Sequence, residues 1–248
     1  TPALAQQPAR DTTRRDSVRT LPGVTVTATR TPARVLTTPL AVTQVHTEAL
    51  RGTSGYGLDD ALAQVPGVLA QSRYGTSDVR IVIRGFGARG AGDRSNAGTS
   101  RGVRVLLDGI PETEPDGRTA FDHIDLASAA GVDVIRSNAS ATWGNAAGGV
   151  VAVSSVPRAD VPLLEYQPIV GGFGLRRHAV RASRPLRGDG AMWASFTNTS
   201  FDGWRAHSSA RRALLNVGAT GTLGDATRLG VTAVAASNLF QLPGPLTR

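Results

Sequence analysis

Two textures of hydrophobic and polar alternation divide this chain. From about residue 21 to 156 the apolar runs are short, four to six residues long, and are broken by Gly, Pro and polar clusters. Leu21–Thr29 alternates Val24 and Val26 with Thr25 and Thr27, the period-two pattern of a strand. Ala41–His46, Val68–Ser72, Val79–Ile83 and Val103–Leu107 read as further short strands. Leu58–Ala63 reads as one to two helical turns, with Asp59 and Asp60 in the first turn and Pro66-Gly67 ending it. Asp125–Ala130 is expected as another short helix. Pro157 and Pro162 bracket a linker. Beyond them the texture changes to segments of about ten residues, at Leu175–Ser183, Ala191–Phe201, Arg211–Leu223 and Arg228–Asn238, separated by Gly/Asp turns. In the last of these Leu229, Val231, Ala233 and Ala235 share one face. Ten-residue alternating strands joined by short turns suit a transmembrane β-barrel, and antiparallel sandwich strands would read the same way.

The densest signal is Val132–Ser154. Val132, Val134 and Ile135 open one strand, and Val150, Val151 and Val153 make another. Between them Gly144, Ala146, Ala147, Gly148 and Gly149 remove nearly all side-chain bulk, which allows a backbone or a wall to approach closely. Two polar stretches, the Gly-rich Gly85–Gly102 and Ile110–Asp122, are long enough for binding loops. Asp108-Gly109 reads as a turn.

Composition narrows the chemistry. The 248 residues hold 29 Gly and only 5% aromatics, which favours a β-rich, turn-rich protein over a helical bundle. With no Cys there is no disulfide, thiolate metal site or Cys nucleophile. Every basic residue is Arg, so a P-loop lysine and Schiff-base chemistry are excluded. The net charge of +8 is carried by Arg scattered along the chain and hardly interleaved with aromatics, which argues against nucleic acid as a partner. His46, His123, His178 and His207 show no metal-ligand spacing. Ala3-Leu4-Ala5 looks like the end of a secretory signal, followed by a polar arm.

In order along the chain, four pieces resemble the TonB-dependent outer-membrane receptors. These are Val24–Arg30 (VTVTATR), Leu58–Val68 (LDDALAQVPGV), Ile83–Gly87 (IRGFG) together with Val105–Pro111 (VLLDGIP), and the stretch Val132–Ser154. Asp202–Ser208 resembles an early barrel segment of the same receptors, and Pro115-Asp116-Gly117 suits their siderophore-type members. The chain departs from the family pattern at Ser137-Asn138, where Gly-Pro is usual, at Trp143, where Tyr is usual, and near Ala152, where Asn is usual.

The resemblance implies an α+β plug domain, a mixed sheet with short helices, followed by antiparallel strands of a transmembrane β-barrel that is incomplete here. Residues 1–20 are expected as a signal remnant and disordered arm, 21–30 as the TonB-box region, 31–156 as the plug and 157–248 as the first barrel strands. Family barrels have 22 strands, so four or five strands here imply the N-terminal part of a longer receptor. The implied activity is TonB-dependent active import of a scarce ligand, a ferric siderophore first, across the bacterial outer membrane, without catalysis or a cofactor. Vitamin B12, haem, another metal chelate or a carbohydrate are alternative cargoes. A secreted β-rich enzyme or a non-functional truncated product is the alternative of another class.

Site residues follow from the same resemblance. Val24, Thr25, Val26, Thr27 and Ala28 would add as a strand to the C-terminal domain of TonB. Phe86, Arg89, Arg94, Arg101, Arg118 and Phe121 are expected in apical loops, where guanidinium groups and aromatic rings would meet an anionic iron chelate. Structural roles in the plug fall to Arg84, Gly85, Asp108, Gly109, Arg136, Gly144, Gly148 and Gly149, with Arg84 and Arg136 facing carboxylates on the barrel wall. Outer-membrane lipid is the remaining partner, and no metal ligands are expected.

Overall fold

A computed structural model describes residues 25–26, 33–34, 39–54, 57–72, 79–87, 101–113, 119, 121–155, 161–224 and 227–241. Strands Val42–His46 (β3), Val103–Leu107 (β7), Ile110–Pro111 (β8), Gly131–Ile135 (β9) and Gly149–Ser154 (β10) form one mixed sheet in the order β3-β9-β10-β7-β8. Its β10–β7 pair is parallel and the rest are antiparallel. A second sheet joins Val68–Ser72 (β4), Val79–Ile83 (β5) and Phe86–Gly87 (β6). Thr25–Val26 (β1) and Ala33–Arg34 (β2) make a separate two-residue ladder. Three helices are short: Thr47–Arg51 (α1), Leu58–Leu62 (α2) and Ser140–Trp143 (α3).

The mixed sheet is covered on both faces, which explains its nearly unbroken apolar strands. Val103, Val105, Val132, Val134, Val151 and Val153 enter the larger core, with Leu50, Leu58, Leu62 and Ile83 from the helices and second sheet. Leu106, Ile135, Val150 and Ala152 point the other way, onto Ala139 and Ala146.

Five antiparallel strands follow in sequence order: Leu163–Val170 (β11), Arg176–Pro185 (β12), Ala191–Phe201 (β13), Ala210–Leu223 (β14) and Thr227–Phe240 (β15). They form an open sheet, not a closed barrel, with β11 and β15 at its edges. In β11–β14 the exposure alternates with polarity in the reverse of the usual sense. Arg177, Arg181, Ser195, Thr197, Thr199, Arg212 and Asn216 are buried, whereas Leu164, Tyr166, Val180, Phe196, Leu215 and Val217 are exposed. A sheet in water buries its apolar face. One that keeps its polar face covered and its apolar face open is built for a hydrocarbon surround.

Three sequence expectations change. Asp125–Ala130 forms turns instead of a helix. The Asp125 carboxylate accepts from the Ala127 N–H at 3.1 Å, and the Ser128 hydroxyl bonds the Asp125 carbonyl at 3.2 Å, so local side-chain bonds replace helical ones. Strand β11 follows the linker read between Pro157 and Pro162, over residues to which no element was assigned. Pro168 is tolerated there because β11 pairs on one side only, with β12. Helices α1 and α3 are additions with no apolar period to announce them. No described helix is long and apolar enough to cross a membrane, which leaves strand crossing open.

Candidate functional site

Three adjacent inward rows of the five-stranded sheet meet the α+β unit through polar groups. Arg177 on β12 is 0% exposed and reaches across to the carbonyl oxygens of Ser54 (2.6 Å) and Thr53 (3.4 Å), just beyond α1. Glu165 on β11 takes Arg181 from its neighbouring strand at 2.5 Å and Arg51 from α1 at 2.9 Å. Gln167 donates to the Arg51 carbonyl at 3.1 Å. On β13, Thr197 donates to the Asp125 carboxylate at 2.8 Å.

Arg212 on β14 gathers the largest set. Its Nη2 reaches the carbonyls of Ile124 (2.6 Å), Asp122 (2.9 Å) and Phe121 (3.5 Å), and its Nε also donates to Asp122 O at 3.2 Å. Asn238 on β15 adds a bond to the Asp122 carbonyl at 3.2 Å. A guanidinium has five donors in a rigid fork, so it can hold an irregular loop whose carbonyls have no strand partner. None of these wall residues was singled out from sequence. The signal was present in the doublets Arg176-Arg177 and Arg211-Arg212, which put one guanidinium on each face of a strand.

Beside this loop, His123 Nε2 sits 2.6 Å from the Glu112 carboxylate. That hydrogen bond raises the His123 pKa above its ordinary value of 6.5, against the opposing effect of burial. Asp59 in α2 is also raised, by burial and then by the adjacent Asp60 charge. Among the described residues no three acidic or His side chains lie close enough to share a metal ion.

The residues expected from sequence are dispersed. Phe86 is 37% exposed, beside Gly102 and Gly148, and the Arg101 carbonyl accepts the Gly87 N–H at 2.7 Å. Phe86 and exposed Arg101 therefore share one patch. Phe121 is 5% exposed inside the larger core, so its ring fills the interior and does not offer a ligand contact. Arg89, Arg94 and Arg118 lie outside the described residues. So do Val24, Thr27 and Ala28, whereas Thr25 and Val26 form β1.

Arg84 and Arg136 face backbone carbonyls, not wall carboxylates, among the described residues. Arg136 donates to Pro66 O at 3.1 Å and Arg84 to Arg136 O at 3.4 Å, knitting three loop segments together. Arg84-Gly85 and Asp108-Gly109 are turns with positive φ. The Asp108 carboxylate accepts from the Ser155 N–H at 2.7 Å and from the Ser155 hydroxyl at 2.5 Å, tying the turn to the end of β10. Gly144 places its Cα beside Arg104, whose Nε donates to Trp143 O at 3.1 Å. Gly148 and Gly149 make the close approaches read from sequence. A Cβ on Gly148 would meet the Phe86 Cβ at 2.4 Å, and one on Gly149 would meet the Ile135 carbonyl oxygen at 2.1 Å.

A compact α+β unit pinned by polar contacts to the inward face of an outward-apolar sheet defines a plug set against the wall of a membrane barrel. The family follows from comparison. Residues 34–150 match the family described as TonB-dependent Receptor Plug Domain, and the chain carries a plug domain of the TonB-dependent receptors. Over 161 residues the chain is 28% identical to a hemin receptor of Yersinia pestis, covering 64% of this chain and 22% of that protein. Its fold is similar to the pyoverdine outer membrane receptor FpvA of Pseudomonas aeruginosa, with TM-score 0.70 and 19% identity over 90% of this chain and 31% of that one. It is also similar to the ferric-catecholate import receptor Fiu of E. coli, with TM-score 0.60 and 21% identity over 84% of this chain and 28% of that one. The chain spans less than a third of the length of each of these three. Plug-domain receptors of this class are outer-membrane proteins, the setting that the inverted polarity of β11–β14 requires.

Proposed function

We propose that this chain serves TonB-dependent active import of a ferric siderophore across the bacterial outer membrane. In this reading residues 31–156 act as the plug and 157–248 as the opening wall strands. The single observation that carries it is the plug–wall contact. The plug is held to the wall by hydrogen bonds and ion pairs through Arg177, Glu165, Thr197 and Arg212. Such contacts can be exchanged for water one at a time, so a plug held this way can yield to a pull.

Coupling belongs to residues 24–28. Among the described residues Thr25 and Val26 are already extended and paired as a strand, the backbone conformation that strand addition uses. Cargo contact is assigned to Phe86, Arg89, Arg94, Arg101 and Arg118. The fold likeness to FpvA and Fiu supports an iron chelate as cargo. The sequence likeness to the hemin receptor supports haem as a second reading.

Two assays test the proposal. A peptide covering residues 21–30 should bind the TonB C-terminal domain, and Val26→Pro should abolish both binding and uptake. Loss of neither removes the coupling role. A deletion strain supplied with single iron sources should fail on one siderophore while still using haem; failure on haem alone would favour the second reading.

A further inference from the structure

The outward face of the wall carries a feature that transport does not use. In the register of β11–β15, Val170, Arg176, Ser200, Arg211 and Leu239 stand directly opposite one another in a single cross-strand row. Directly opposed residues of antiparallel strands share a face, so this row points outward with exposed Val170. We infer that Arg176, Ser200 and Arg211 form a binding site for the phosphate of an anionic lipid headgroup in the surrounding leaflet.

The adjoining inward row supplies the comparison. It repeats the same pattern one residue along, as Arg177, Thr199 and Arg212. There both guanidinium groups are buried and bonded to plug carbonyls. Outward, Arg176 and Arg211 are exposed, and neither has an acidic partner among the described residues. Asp202, in the turn after β13, pairs with neither. Two like charges two strand spacings apart, about 10 Å between backbones, repel each other. A phosphate between them would remove that repulsion and accept from both forks, with the Ser200 hydroxyl beneath it.

Depth along the strands agrees. Below the arginine row, Tyr166 stacks on His178 with centroids 6.1 Å apart and planes within 9°, and its hydroxyl bonds His178 Nδ1 at 2.7 Å. Exposed Val180, Phe196 and Leu215 continue the row of Tyr166 across the sheet. An aromatic pair between an apolar band and a basic row marks the membrane–water interface, which puts the arginines at headgroup depth. The turn at this end, residues 202–209, is longer than that at 186–190. Longer turns lie on the extracellular side of such barrels, so the phosphate belongs to the outer leaflet.

The test uses the gene product purified from outer membranes in mild detergent, with retained phosphorylated glycolipid counted by native mass spectrometry. Arg176→Gln combined with Arg211→Gln should lower retained lipid about tenfold. Arg184→Gln, at the opposite end of the outward face, should leave it unchanged. Heat-modified gel migration would show that each variant still forms a barrel. A second arm leaves the protein unaltered and offers it the same glycolipid with its phosphates removed. Retention should then fall by a similar factor. Equal retention by the double variant, or of the dephosphorylated lipid, would overturn the site, and the second arm decides the matter even where the double variant fails to insert.

Discussion

Arg212 shows how one side chain can hold a segment that has no secondary structure. Its guanidinium takes three carbonyls of residues 121–124 at 2.6–3.5 Å, in place of the strand ladder that those carbonyls lack. Arg212→Leu keeps volume but strips the buried Ile124 carbonyl of its donor and removes one from each of the other two, at a cost on the order of 3 kcal/mol. The check is the urea concentration at which a cysteine replacing buried Ala129 becomes labelled, which should fall. Gly149→Ala is expected to cost on the order of 2–4 kcal/mol, because its Cβ would sit 2.1 Å from Ile135 O at φ +153. Gly221→Ala meets no atom within 4 Å and should be near neutral in the same assay.

The His123–Glu112 bond gives the neighbouring loop a pH dependence. A His whose folded pKa is raised contributes stability that is complete below its unfolded value of about 6.5 and is lost as pH rises through the folded value. Amide protection at residues 121–124, corrected for intrinsic exchange, should therefore be greater at pH 5.5 than at pH 8.5. His123→Gln should flatten that difference.

At the scale of elements, strands were legible wherever one period governed a segment. Strands β4, β5, β7 and β13 have the bounds their alternation predicts. Strand β11 was hidden by Pro168, because sequence does not say which strand lies at an edge. The helix expected at Asp125–Ala130 failed because Asp125 spends its oxygens on Ala127 and Thr197. The site was less legible than the fold, since a guanidinium's partners lie 88 to 124 residues away along the chain. Phe121 illustrates the limit: a loop aromatic reads the same whether it meets a ligand or fills a core.

The two faces of the wall should respond oppositely to substitution. Val217→Arg places a charge on the outward face between Ala194 and Ala233, and should cost about 2–4 kcal/mol in refolding into vesicles. Ser195→Ala, on the inward face, removes a buried hydroxyl that has no partner, and should be neutral or slightly stabilising.

Across the whole molecule, the plug and wall are joined by contacts that hold at rest and can part under force. The proposed import requires that parting. Asp125 and Thr197 meet across the junction with 2.8 Å between their side-chain oxygens. Replacing both by cysteine and oxidising would fasten the plug to β13. Uptake of radiolabelled ferric siderophore by cells carrying this lock should be abolished while binding at the surface persists, and a reductant should restore uptake. Undiminished uptake with the crosslink formed would contradict a plug that must move.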